Sequence, residues 1–221
     1  MMDITLTQRV IENKDWATLL FLLCFGILAI NRNVYEVRFA EYLRLIVSEK
    51  YTKIYKDSSN IKNSFTISLF FVQLISGTFF VQICLKSFGY INHYSLISFL
   101  RILNFITFFI LAKYLIEKIV AIAFNIEEFS EQFNLQKVNY RTYVSLLILP
   151  ANLILFYNDF SSKIPLFIIM LALMITNIIL YIIFLRNYQN LILNRLFYFI
   201  LYLCTLEIAP YFFLYYWFTK S

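Results

Sequence analysis

The residues of this sequence that could do chemistry are few, and most are polar side chains set inside long apolar stretches. Glu207 lies in the middle of the apolar block 196–218. A carboxylate at the centre of a bilayer costs about 2.5–3.5 kcal/mol on insertion scales. It must therefore be protonated, paired, or turned toward other helices. Gln73, Asn152 and Asn177 fall at similar depth in three other blocks, and Arg101 and Asn104 sit at i and i+3 in the outer third of a further one. An inward-facing cluster of Glu207 with Gln73, Asn177 and either Asn104 or Arg101 would satisfy these groups together. Pro210 follows Glu207 at i+3 and has no backbone N–H. It leaves the Leu206 carbonyl without its helical donor and predicts a kink beside the acid.

Two chemistries fit this set. In one, the polar residues fasten helices to each other, each hydrogen bond contributing about 0.6 kcal/mol. In the other, Glu207 binds a proton, a cation or a polar headgroup, and the kink at Pro210 lets its helix move. One mid-membrane acid without a second charged partner at equal depth favours fastening.

Signatures of an enzyme are nearly absent. The sequence has no phosphate-cradling glycine loop, no Gly-x-Ser-x-Gly elbow and no His-Glu-x-x-His helix. Glu127-Glu128 resembles the paired glutamates of one class of intramembrane protease, but the arginine and downstream histidines that accompany them there are missing. His93 is the single histidine and falls in a predicted loop. Haem and zinc sites therefore lack a ligand set. Cys24, Cys84 and Cys204 each lie in a separate apolar block and read as small hydrophobes, not as a disulfide framework. The expectation is no catalytic residue, no cofactor and no metal.

These residues must be positioned by membrane helices. Hydrophobic residues make up 61% of the 221 and charged residues 14%, with three Gly and three Pro in the whole chain. A soluble domain carries about 25% charge and many more turn residues. Mean hydropathy is +0.72. The pattern predicts an all-α, polytopic bundle of about six transmembrane helices in one domain, with spans near 16–30, 64–85, 95–112, 143–157, 164–185 and 196–218. The first and fourth, at fifteen residues, reach only about 22 Å against a hydrocarbon core of about 30 Å. Residues 158–163, with Pro165 opening the next helix, read as a tight hairpin. The N-terminal fifteen residues carry a net negative charge, so the first apolar block reads as a retained helix rather than a secretory signal.

Basic residues set the orientation. Connection 31–63 holds Arg32, Arg38, Arg44, Lys50, Lys53, Lys56 and Lys62; 113–141 holds Lys113, Lys118, Lys137 and Arg141; 186–195 holds Arg186 and Arg195. The opposite side has Arg9, Lys14, Lys86, Lys163 and Lys220. Thirteen against five places those three connections in the cytoplasm and both termini outward. The basic residues form no run or stripe, which argues against nucleic acid. In 35–46, Tyr35, Phe39, Tyr42, Leu43 and Ile46 share a face, with Glu36, Arg38, Glu41 and Arg44 away from it. This predicts an amphipathic helix, lying in the headgroup layer or packed on the bundle end. Lys113 and Glu117 are i, i+4 neighbours and read as a snorkelling helix end. Tyr211, Tyr215, Tyr216 and Trp217 suit an interfacial belt.

The stretch 197–210, with Cys204, Leu206, Glu207 and Pro210 as its distinctive Cys-x-Leu-Glu-x-x-Pro-like element, resembles the closing helix of an uncharacterised family of integral membrane proteins from Bacteroidota, a domain of unknown function. The basic 39–51 segment and the helix start at 64–71 are similar to its earlier portion. The resemblance implies a bacterial inner-membrane location and a helical fold, and no activity. The expected function is a non-catalytic accessory or scaffold protein acting through a membrane partner in the lipid bilayer. The alternatives are a transporter or ion-binding subunit using Glu207, and third a membrane-embedded enzyme acting on lipid.

Overall fold

The computed structural model describes residues 14–45, 63–91, 93–123, 127–158, 164, 166–176, 178 and 179. Those residues form six helices and no strand: α1 (Asp15–Val34), α2 (Glu36–Leu43), α3 (Ser64–Ser87), α4 (Leu96–Ala123), α5 (Glu127–Tyr157) and α6 (Leu166–Thr176). The expected span 196–218, the connection 186–195 and the 159–163 turn lie outside the described residues, as do Asn177, Cys204, Glu207 and Pro210.

Local chemistry sets the boundaries. Asn63, in an extended conformation, accepts from the Phe65 amide at 3.1 Å and caps the start of α3. At its far end Gly89 takes φ +84, with Gly89 N–H donating to Lys86 O at 3.0 Å and Tyr90 N–H to Leu85 O at 2.9 Å. This pair of bonds is the Schellman closure, and a residue without Cβ takes the left-handed position most easily. Ser95 Oγ accepts from the Ser98 amide at 3.2 Å, three residues on, and starts α4. Tyr35 breaks α1 from α2 at φ −122, ψ 47, while its carbonyl already accepts from Phe39 N–H.

Three helices are long and apolar enough to cross a membrane: α1, α3 and the Asn134–Tyr157 portion of α5. That is fewer than the six spans expected. The last expected block is outside the described residues, the fifth is described without a break only over Leu166–Thr176, and the 28 residues of α4 include Arg101, Lys113, Glu117 and Lys118. The doubtful fourth block becomes the longest helix among the described residues. α5 begins at Glu127 rather than at 143 and passes through an exposed Pro150. Its extra turns bury polar residues, Asn134, Gln136, Asn139 and Thr142, against the bundle, which is why hydropathy alone underestimates its length.

α3 is the hub, packing against α5, α4 and α1. One end of the bundle is an aromatic cluster: Phe79 stacks on Phe21 at 4.3 Å and meets Phe99 at 4.7 Å and Phe156 at 5.5 Å. Lys86 stands over Tyr94 there, 3.8 Å from the ring centroid. Cys24, Val72 and Leu149 pack the middle layer. The other end joins Tyr42 and Leu45 to Phe65, Leu69, Tyr140, Tyr143, Val144 and Ile148. As far as residue 45, where the described part of the expected 35–46 segment ends, it is thus packed on the bundle end through its Tyr42 side. Arg38 departs from the expected polar face. It is 7% exposed, with its guanidinium 4.8 Å from the Phe65 ring centroid and 3.5 Å from Thr66 Oγ1. A delocalised cation stacks on an aromatic face at small desolvation cost.

Candidate functional site

Within the apolar helices, polar side chains form a seam between α3 and α5. Thr142 Oγ1 donates to Gln73 Oε1 at 2.8 Å. One turn along α3, Ser76 Oγ donates to the Ser145 carbonyl at 2.9 Å. Asn152 Nδ2 then donates to Ser76 O at 2.8 Å and lies 3.3 Å from Ser76 Oγ. Gln73, Ser76 and Asn152 are all buried. The small Ser76 lets the helix backbones approach, so that side chains reach across to main-chain carbonyls. Asn152 Oδ1 and Gln82 Oε1 are buried and have no hydrogen-bond donor among the described residues.

The same logic fastens α1. Asn31 Nδ2 donates to Ser68 Oγ at 2.8 Å, Thr18 Oγ1 bonds the Tyr157 hydroxyl, and Lys14 Nζ reaches the Phe156 carbonyl at 3.4 Å. At the bundle end, the Tyr42 hydroxyl donates to Asn139 O at 2.8 Å and ties α2 to α5.

Of the sequence-predicted cluster, the structure brings Gln73 and Asn152 onto this one seam, each bonded across it. Arg101 and Asn104 are exposed on α4 and do not join it. Glu207, Asn177 and the kink residue Pro210 lie outside the described residues.

A second polar feature escaped sequence reasoning. Lys113 and Glu117, expected to snorkel from a helix end, are only 7% and 4% exposed. Lys137 Nζ on α5 donates to Glu117 Oε1 at 2.9 Å. With Arg141, one turn further along α5, these residues line a cavity of about 240 Å³ between α3, α4 and α5. The available signal was the i, i+4 spacing repeated on consecutive helices, Lys113/Glu117 and then Lys137/Arg141. Charges at that spacing on both arms of a helical hairpin can face each other. Apart from Arg101, Asn104 and Lys118, the exposed side of α4 is largely apolar: Ile97, Phe108 and Ile119 are more than three-fifths exposed. An apolar exterior around a charged interior is the inverse of a soluble helix and suits lipid surroundings.

The arrangement can hold helices in register and can attract an anion. Among the described residues no three His, Cys, Asp or Glu side chains stand together as metal ligands. A model of the family described as a domain of unknown function, DUF4271, matches residues 17–218. No curated protein and no solved structure matches.

Proposed function

The chain belongs to the DUF4271 family of unknown function, and on that premise we propose that it is a non-catalytic, six-helix protein of a bacterial inner membrane that acts by holding a membrane-protein partner. The inner membrane, and a source among the Bacteroidota, follow from the resemblance of 197–210 to that family's closing helix. The orientation with both termini outward follows from the placement of basic residues.

One observation carries the scaffold reading. The polar groups of the seam between α3 and α5 are bonded from helix to helix, as in the Gln73–Thr142 and Asn152–Ser76 contacts. They make a rigid bundle, and the large apolar side chains of α1 and α4 face outward, where a partner or lipid covers them. Affinity purification in mild detergent tests this: a partner at fixed stoichiometry is expected, and a lone, monodisperse chain overturns it.

A second reading has its own support. Asn152 Oδ1 is buried with no donor among the described residues. A protonated Glu207 would supply one, making the acid a proton- or ion-binding group of a transporter. Glu207→Gln separates the readings: a scaffold keeps its partner, whereas a transporter loses coupled flux at unchanged expression.

A further inference from the structure

The exposed side of α4 repeats one spacing along its length. Ile97, Arg101, Asn104, Phe108, Leu111 and Leu115 follow each other at alternating steps of four and three residues, and all six are exposed. That is the spacing of a seam along which a second helix packs, and none of the described helices covers it. Two of the six are polar. Arg101 lies five residues past Leu96, about 7.5 Å from the start of the helix, and Asn104 lies one turn deeper. Neither has a hydrogen bond or ion pair among the described residues. A guanidinium at that depth has the length to snorkel to the headgroups. The short amide of Asn104 does not. Polar groups at membrane depth almost always face protein, so this seam calls for a helix rather than lipid.

Charge, depth and direction narrow the helix. Across the six expected spans, Arg101 is the one Lys or Arg and Glu207 the one Asp or Glu. Measured from the ends of its apolar block, Glu207 is mid-span. Measured from the aromatic belt, it stands four residues before Tyr211, where the belt begins, and so lies about 6 Å inside the interface, against about 7.5 Å for Arg101. In a six-span chain the third and sixth crossings run antiparallel, so the belt end of 196–218 and the start of α4 share one face of the membrane. Aligned about Arg101 and Glu207, the sequence sets Ile97 level with Tyr211, Asn104 with the small Cys204, and Phe108 with Ile200. In that register the block 196–218 is long enough to follow the seam from Ile97 to Leu111, about 21 Å. The expected fifth span, 164–185, holds no acid.

We propose that the chain's own block 196–218 packs antiparallel on this side of α4, with the Glu207 carboxylate ion-paired to the Arg101 guanidinium. Ionisable groups inside a bilayer pair with one another, and a guanidinium takes a carboxylate bidentately. Glu207 is then ionised, and not a proton donor to Asn152. The exposed side of α1, with Leu19 and Leu22, is left as the apolar face for a partner. The inference goes beyond the scaffold reading, because it assigns the cover of α4 to this chain, and partner capture is a separate measurement that fails or succeeds independently.

Disulfide trapping in native membranes tests this on the full chain, with Cys24, Cys84 and Cys204 replaced by serine. Phe108→Cys combined with Ile200→Cys is oxidised with copper phenanthroline. A cross-link within one chain is expected, read as a mobility shift that a reductant reverses. Leu22→Cys on α1, combined with Ile200→Cys, gives no such shift. Arg101→Glu in the Phe108→Cys, Ile200→Cys chain sets two acids together and slows cross-linking about tenfold or more. Adding Glu207→Arg restores it, so the test holds even if Arg101→Glu alone fails to insert. A double charge swap no faster than Arg101→Glu alone overturns the pair, as does cross-linking that Arg101→Glu leaves unchanged. A dimer trapped through Phe108→Cys alone overturns the proposal and gives this seam to a second copy of the chain. Leu22→Cys cross-linking as fast as Phe108→Cys, or no cross-link at all in a chain that inserts normally, overturns it too and leaves α4 to lipid or to another protein.

Discussion

Lys137 on α5 reaches across to Glu117 on α4, ammonium to carboxylate at 2.9 Å, with the lysine side chain 16% exposed and the glutamate 4%. The two residues are twenty positions apart and join the arms of a helical hairpin. A buried pair of this kind contributes little relative to an apolar pair of the same shape, yet leaves a costly charge when one member is removed.

Lys137→Met is therefore expected to destabilise the protein by about 1.5–3 kcal/mol, the worth of a hydrogen bond to a charged group, because Lys113 and Arg141 line the same cavity and still face the Glu117 carboxylate. Adding Glu117→Gln to it should recover a large part of that loss. Thermal unfolding of the two single variants and the double variant in one detergent gives the coupling directly. A double variant no better than the worse single variant would show that the two side chains do not act as a pair.

The Asn152–Ser76 contact should be far milder. Asn152→Leu removes a donor to the Ser76 carbonyl, but that carbonyl keeps its place in the helix. Interhelical hydrogen bonds in membrane proteins average about 0.6 kcal/mol and reach about 1.7. The replacement also removes the buried Oδ1, which has no donor among the described residues, and this offsets part of the loss. A net change below about 1 kcal/mol is expected in unfolding measurements. A loss of several kcal/mol would mean that Oδ1 has a bonded partner of its own.

Gly89 offers a test confined to the backbone. Its φ of +84 closes α3, and no atom lies within 4 Å of where a Cβ would stand. Gly89→Ala should therefore cost only the left-handed strain, about 1–2 kcal/mol, and Gly89→Asn should cost less, since asparagine tolerates that region. Equal losses for the two variants in thermal unfolding would point to a steric cause instead.

How much of this was legible in the sequence varied with the physics. The expected span 64–85 nearly matches α3, because Asn63 and Gly89 are local signals that act through the backbone. The start of α5 was not legible. Residues 127–142 look like a connection by hydropathy, and the burial of Asn134, Leu135, Gln136, Asn139, Tyr140 and Thr142, which no apolar pattern announces, draws the stretch into α5. Arg38 was assigned to the wrong face because periodicity knows charge but not the ring of Phe65 beneath it. Lys113 and Glu117 look like an interfacial helix end until α5 is placed opposite them. Gln73, Asn152, Arg101 and Asn104 could all be placed in apolar blocks. Which face of a helix they occupy could not be read, since α4 is apolar nearly all round and has no amphipathic stripe to orient it.

Topology provides the final test. The proposed orientation rests on thirteen basic residues in three connections against five on the other side, a bias that sets which loops stay in the cytoplasm. In the described part, the C-terminal end of α1, α2, the start of α3, the end of α4 and the start of α5 share one end of the bundle, joined by Tyr42 to Asn139 and by Asn31 to Ser68. That end carries Arg32, Arg38, Arg44, Lys113, Lys118, Lys137 and Arg141, and Lys14 and Lys86 stand at the other. With Cys24, Cys84 and Cys204 replaced by serine, Ser58→Cys should react with an impermeant maleimide only after the cytoplasmic face is opened, and Ser221→Cys should react from outside in intact cells. Labelling of Ser221→Cys only from the cytoplasmic side would give an odd number of crossings, or reverse the bundle, and would remove the six-helix arrangement with outward termini.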